Sequence, residues 1–327
     1  MNKSEILNAI DLNNRNNFGK IISYFALIII LIAIIFNTIT FLVFRFNSKM
    51  KKIPTMVILS FVCITDSLSL FTWNLDHFFE FHNLPDIESL NIYTCKIFLF
   101  LQYFGLQSSA FLICFVSIDR YFTIISKPGS FISKLPFGTI KSSFIWSFLI
   151  IIFIACLNSI LIIFDRVMKD EKLINCYRFS NGFSVILWEK IHLCLYSILP
   201  FILMITFNVL LIKKTLRLDV NNTNKSSLKK TRNLTLSILI ITICFILMSF
   251  PASFCFGFYL DYFRSSQSLY NIAILIDYFS FLNHSTLFFN CILTNKRFRE
   301  IIYSNVKILL LLFCCHRCRL GRQKSTQ

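Results

Sequence analysis

The sequence predicts an all-α protein: a bundle of seven membrane-crossing helices followed by a short amphipathic helix on the membrane surface. Three observations carry this. Of 327 residues, 56% are hydrophobic and only 15% charged, with a mean hydropathy of +0.67, whereas soluble domains carry about 25% charged residues. Apolar segments of about 20 residues, the length that crosses a ~30 Å hydrocarbon core, recur seven times. Basic residues also crowd alternate connections: 45–52, 119–141, 213–232 and 294–327 hold 23 of the 33 Lys and Arg, against only Asp119, Asp219 and Glu300. By the positive-inside rule these segments face the cytosol, which puts the N-terminus outside and the C-terminus inside. The same sidedness removes nucleic acid as a partner, which a net charge of +17 would suggest in a soluble protein.

Residues 1–20 are polar, form the expected extracellular N-terminus, and lack the apolar core of a cleaved signal segment. Asn2-Lys3-Ser4 is a glycosylation sequon placed outside, with Asn2 as the acceptor. Residues 21–293 form the seven-span domain. Span one, Ile21–Phe44, is interrupted by Asn37. Span two, Ile53–Leu75, carries Asp66 near mid-depth, where a charge costs about 2.5–3.5 kcal/mol and calls for a partner, a proton or an ion. An outer segment with Asp76, Glu80, Asp86 and Glu88 follows, read either as a solvated loop or as an attractor of cationic ligands.

Span three, Cys95–Tyr121, is the organising element. It is uncharged for 22 residues from Ile97 to Ile118 and ends in Asp119-Arg120-Tyr121. At ~100° per residue Gln102 and Arg120 share a face about five turns apart, with Ser109 near the same line. A polar stripe in lipid must face protein or trapped water; for Ser109 alone, packing between helices is an equal reading. Span four, Ser142–Phe164, has Trp146 near its inner end. Span five, Ile191–Ile212, contains Pro200, and span six, Asn233–Leu260, contains Pro251 within an aromatic outer half that includes Phe256. Each proline removes one helix hydrogen bond and loosens or kinks its turn. Span seven, Ser265–Leu293, carries Asp277 and then Asn283, His284 and Ser285.

Of twelve cysteines, Cys95 and Cys176 are the two placed in water on the outer side, so compartment alone pairs them. Residues 294–327 form the cytosolic helix and tail. Phe298, Ile301, Ile302, Asn305 and Leu309 repeat at three to four residues, as in a helix lying on the membrane, and Cys314, Cys315 and Cys318 are then placed for palmitoylation. A metal site at the single CxxC lacks a second ligand pair.

Seven spans with Asn37, Asp66, Cys95, Asp119-Arg120-Tyr121, Trp146, Cys176, Pro200 and Pro251 in this order resemble the rhodopsin-like G-protein-coupled receptors over roughly residues 21–300. The run LNHSTLFFNCILTNKRFR looks most like invertebrate neuropeptide receptors of the FMRFamide type. The resemblance implies a plasma-membrane receptor that passes a helix rearrangement to a heterotrimeric G protein. It implies that Arg120 is a cytosolic switch held by Asp119, that Asp66, Ser109 and Asn283 surround a sodium ion, and that Gln102, Phe256 and Asp277 line a ligand pocket. Gln102 stands where amine receptors carry an aspartate, so the resemblance favours a small peptide. The chain also departs from the pattern: Leu287, Phe288 and Cys291 replace the Asn, Pro and Tyr of NPxxY, Met248-Ser249-Phe250-Pro251 lacks the usual tryptophan, and Lys229, Lys230, Thr231 and Arg232 offer Arg120 no acid.

A retinal receptor is disfavoured by the lack of a lysine in span seven. A chemosensory receptor for small molecules is the alternative within the fold, and a transporter or channel is the alternative outside it, though it would more often show repeats and several intramembrane charges. No nucleophile and base are paired in the sequence, so no enzyme is expected.

Overall fold

A computed structural model describes the backbone of residues 3–71, 74–75, 78–79, 82, 84, 91–126, 135–164, 168–170, 173–175, 185–221, 225–259, 262–263, 265–305 and 307. Side chains are described within these ranges from residue 20 on, except at 164, 168–175, 185–187, 189, 217–231 and 267. Asn2, Cys176, Cys314, Cys315, Cys318, Leu309 and the acids of the first outer segment therefore lie outside the described residues.

The helices are α1 (Lys3–Phe46), α2 (Pro54–Ser69), α3 (Ile92–Ile125), α4 (Ile140–Phe164), α5 (Val185–Leu193), α6 (Leu199–Asn221), α7 (Lys225–Phe258), α8 (Gln267–Asn283) and α9 (Leu287–Thr294). Residues 296–305 are also helical. A small antiparallel hairpin, β1 (Met168–Asp170) with β2 (Leu173–Asn175), pairs Met168 with Asn175. It is the one departure from an all-helical reading among the described residues. Among the described residues, five stretches have the length and apolarity to cross a bilayer: Lys20–Phe46, Ile92–Ile125, Ile140–Ile163, Lys190–Leu216 and Arg232–Phe258. A sixth is the pair α8 and α9, bent by 49°, and α2 is the shorter apolar seventh.

α3 sits at the centre, packed on α2, α4, α6 and α7. The capping box of Asn91 and Thr94 opens it, satisfying the first backbone donors before the chain enters the apolar layer. Gly105 sets its approach to α2: a Cβ there would meet Ser69 N at 2.8 Å, so only glycine lets these two backbones lie so close.

Several boundaries differ from those expected. The unbroken helix of span two ends at Ser69 rather than Leu75. Spans five and six continue past the apolar limits to Asn221 and from Lys225, because polar residues continue a helix freely once it leaves the lipid. Span seven breaks over 284–286, where the His284 carbonyl accepts Asn37 Nδ2 at 3.0 Å instead of a helical N–H. Ser285 Oγ and Thr286 Oγ1 bond back to Leu282 O and Asn283 O, both at 2.8 Å, a pattern that competes with regular helix. The surface helix buries Phe298 fully against Phe44 and Phe288, but Asn305, expected on its apolar face, is exposed.

Candidate functional site

The centre of the bundle is polar. Asp66, 3% exposed, accepts through Oδ1 from Ser109 Oγ at 2.5 Å and from His284 Nδ1 at 2.6 Å. The far side of the His284 ring faces Tyr196, whose hydroxyl lies 3.2 Å from Nε2. Spans two, three, five and seven are thus joined through one carboxylate and one imidazole. Asn37 completes the set from span one, holding the His284 carbonyl and reaching Ser67 Oγ at 3.4 Å.

Tyr196 reaches this position through a π-helical turn, Cys194–Ile198, closed by Leu199 N on Cys194 O. Pro200 lies just beyond it. A proline ring clashes with the carbonyl four residues back, here that of Tyr196, and widening the turn relieves the clash. The phenol ring then packs edge-on against Phe245 of α7 at 5.7 Å and stacks on His192 at 5.2 Å. His192 in turn accepts from Gln107 Nε2 at 3.2 Å through Nδ1, and Gln107 Oε1 accepts Asn158 Nδ2 of α4 at 2.7 Å. Tyr103 lies edge-on to both His192 and Trp188, at 4.7 and 5.8 Å. A column of rings therefore descends from the outer end of α5 to the central carboxylate.

The residues named for sodium are not all brought together. Asp66 and Ser109 meet, but among the described hydrogen bonds none links Asn283 to either, and His284 takes the carboxylate instead. A hard cation prefers several oxygen ligands, whereas Asp66 Oδ1 already accepts two donors, one from a ring nitrogen. This set does not fit a sodium ion. No group of three or more His, Cys, Asp or Glu among the described residues is placed to hold a metal.

Seven residues outward, about 10 Å along each helix, Gln102 and Asp277 stand at comparable depths on spans three and seven, buried at 7% and 8% exposure. Gln102 Oε1 is buried without a hydrogen-bond partner. Phe256 is half-buried in the outer half of α7, five residues beyond Pro251. Cys95, fully buried at the outer end of α3, is disulfide-bonded, while its expected partner Cys176 lies outside the described residues.

At the inner end Arg120 Nη2 donates to its neighbour, Asp119 Oδ2, at 2.9 Å, and Arg120 Nε is buried without a partner. Asp119 Oδ1 accepts Gly138 N at 2.8 Å, tying the loop before α4 to α3. Tyr121 packs edge-on to Phe207 of α6 at 5.6 Å. Trp146 donates through Nε1 to Pro136 O at 3.1 Å and stacks with Phe137, closing the same loop from α4.

This architecture, seven apolar elements around a central third helix with a buried acid at mid-depth and an Asp-Arg pair at one mouth, coincides with a family match. The family model described as 7 transmembrane receptor (rhodopsin family) fits residues 36–294, from Asn37's neighbour to the end of α9. The chain belongs to this receptor family. Among curated relatives, this receptor is 23% identical to human C-C chemokine receptor type 8 over 168 residues, 51% of its own length and 44% of the relative's. It is 27% identical to the muscarinic acetylcholine receptor M5 of Macaca mulatta over 122 residues, 37% and 22% of the two lengths. The chain thus spans less than half the length of each. Members of the family are receptors rather than enzymes.

Sequence reasoning missed His284, Tyr196, His192 and Gln107 as site residues. The available signals were Pro200 four residues after Tyr196, and the run of His284, Ser285 and Thr286 in an otherwise apolar span.

Proposed function

We propose that the protein is a plasma-membrane G-protein-coupled receptor, its N-terminus outside and its C-terminus in the cytosol, activated by a small extracellular peptide. The observation that carries the reading is Arg120: its guanidinium stands at one mouth of the bundle, bonded among the described residues only to the carboxylate next to it. No acid of span six restrains it, since the inner end of that span reads Lys229-Lys230-Thr231-Arg232. A swing of span six would open a cleft at Arg120 without first breaking an ion pair between spans.

At the other mouth, the unpartnered Oε1 of Gln102 supports a ligand that donates an N–H, as a peptide or an amidated terminus does. One relative is named for a chemokine and the other for acetylcholine; a neutral amide at Gln102 favours the peptide side of that pair. Asp277 and Phe256 complete the pocket, and an amidated, basic peptide of the FMRFamide kind suits them. The ligand acts only through a higher affinity for the open arrangement. A disulfide from Cys95 to Cys176 would hold the outer loop over this mouth. A glycan at Asn2 and acyl chains at Cys314, Cys315 and Cys318 would mark the two sides of the membrane.

The test is a peptide-library screen on cells expressing the receptor, read as nucleotide exchange on G proteins, with Arg120→Ala alongside. Arg120→Ala should abolish exchange while surface binding of the active peptide persists. Undiminished exchange in that variant would remove Arg120 from the mechanism, and activation only by small volatile molecules would replace the peptide.

A further inference from the structure

A carboxylate at mid-depth in a membrane is tolerated through a proton, an exchangeable ion or a fixed partner on the chain. At Asp66 the fixed partner is in place. Ser109 Oγ and His284 Nδ1 both donate to its Oδ1, at 2.5 and 2.6 Å. Nδ1 carries a proton both in the neutral tautomer that this contact selects and in the imidazolium, so the contact survives either charge state.

The ring is also held where it stands. His284 is fully buried, and the rings of Tyr196, Phe245 and Phe281 surround it with centroids 6.3–6.5 Å away. Its other nitrogen, Nε2, lies 3.2 Å from the Tyr196 hydroxyl. The backbone is pinned as well: the His284 N–H donates to Phe281 O at 3.0 Å, and its carbonyl accepts Asn37 Nδ2 at 3.0 Å. A cation approaching Oδ1 would have to turn out a buried ring and leave its N–H unpaired, which a water-poor interior opposes. With the ring gone, oxygens remain nearby. Beside the carboxylate stands Ser109 Oγ, and Asn37 Oδ1, on the side chain that holds His284, is buried with no hydrogen-bond partner among the described residues. Hard cations take such oxygens.

We propose that His284 is a tethered substitute for a sodium ion: it closes the place beside Asp66, makes the receptor's stability indifferent to sodium, and conceals a cation site that one substitution opens. The difference is one of linkage. A bound ion stabilises in step with the logarithm of its concentration, so a bundle that relied on one would answer to the salt around it. A side chain on the same polypeptide has a fixed effective concentration. The crosslink of spans two, three, five and seven therefore holds in any salt and opens only when the helices themselves move.

Thermal unfolding of the full-length receptor in detergent tests this with neither ligand nor G protein, so the outcome is separate from the signalling reading. Sodium chloride is compared with choline chloride at equal ionic strength. The unaltered receptor should unfold at the same midpoint in both. His284→Ser, which replaces the ring with one more oxygen, should have a lower midpoint in choline and recover by several degrees as sodium is added, up to a plateau. Adding Asp66→Asn to that variant should abolish the recovery, which separates a site from a general salt effect. The unaltered comparison stands by itself if His284→Ser does not fold, and His284→Ala, which opens the same space, then carries the gain. A sodium-specific rise in the unaltered receptor that Asp66→Asn removes would overturn the proposal. So would a folded His284→Ser or His284→Ala receptor as indifferent to sodium as its parent.

Discussion

Asp66 and Asp119 are both buried, at 3% and 0% exposure, yet their partners come from different distances along the chain. Asp66 is bonded by side chains 43 and 218 residues away, on spans three and seven. Asp119 is bonded by the next residue and by a backbone N–H 19 residues on. The first carboxylate is a crosslink between distant helices, and the second organises one corner. A helix movement at the inner mouth can therefore leave the Asp119 contacts intact, whereas relative motion of spans two, three and seven has to break those of Asp66. This gives one end of the molecule freedom to move while the centre keeps its register.

The largest expected effect breaks this contrast directly. Asp66→Ala leaves Ser109 Oγ and His284 Nδ1 without their acceptor and should cost about 3 kcal/mol, the scale for removing one partner of a buried polar pair. Thermal unfolding of the detergent-solubilised receptor measures it. In a double-mutant cycle with His284→Ala, the two costs should add to much less than their sum, since both remove the same contact. A cost below about 1 kcal/mol would place Asp66 on the footing of a local contact. Next in size is Gly105→Ala. Its Cβ would meet Ser69 N at 2.8 Å, backbone rather than a flexible tip, so spans two and three must separate, at about 2 kcal/mol by the scale of overpacked cores. Because Ser109 lies one turn below Gly105, the same change should weaken the Ser109–Asp66 bond. If Ser109→Ala still costs its full amount in a Gly105→Ala background, the crosslink does not depend on that close approach.

Much of this was legible in the sequence, and the reason is geometric. Span boundaries, the central third helix and the line through Gln102, Ser109 and Arg120 follow from apolar length and a 100° period, which hold wherever a helix is regular. Ser109 does lie on Asp66. The expected Asn283 contact comes from the family resemblance and not from the period; at 284–286, where the helix is irregular, the carboxylate is bonded by the next residue, His284. Tyr196 was hidden for a related reason, since a π-helical turn shifts the phase of span five and apolar patterning does not register one extra residue. The extensions of α6 to Asn221 and of α7 from Lys225 were invisible to hydropathy because their residues are polar.

The smallest effect sharpens the comparison most, because it touches the crosslink at its edge. Tyr196→Phe removes only the hydroxyl at 3.2 Å from His284 Nε2 and keeps the ring on His192 and Phe245. Hydrogen bonds between membrane helices average about 0.6 kcal/mol, since a loosened helix finds other partners, so stability should fall by about that much. If Tyr196 stabilises the bundle through the imidazole, the substitution should cost almost nothing more once His284 is already alanine. If it costs the same in both backgrounds, the hydroxyl acts through another neighbour. The polar centre would then join spans two, three and seven, with the span-five hydroxyl bonded outside it.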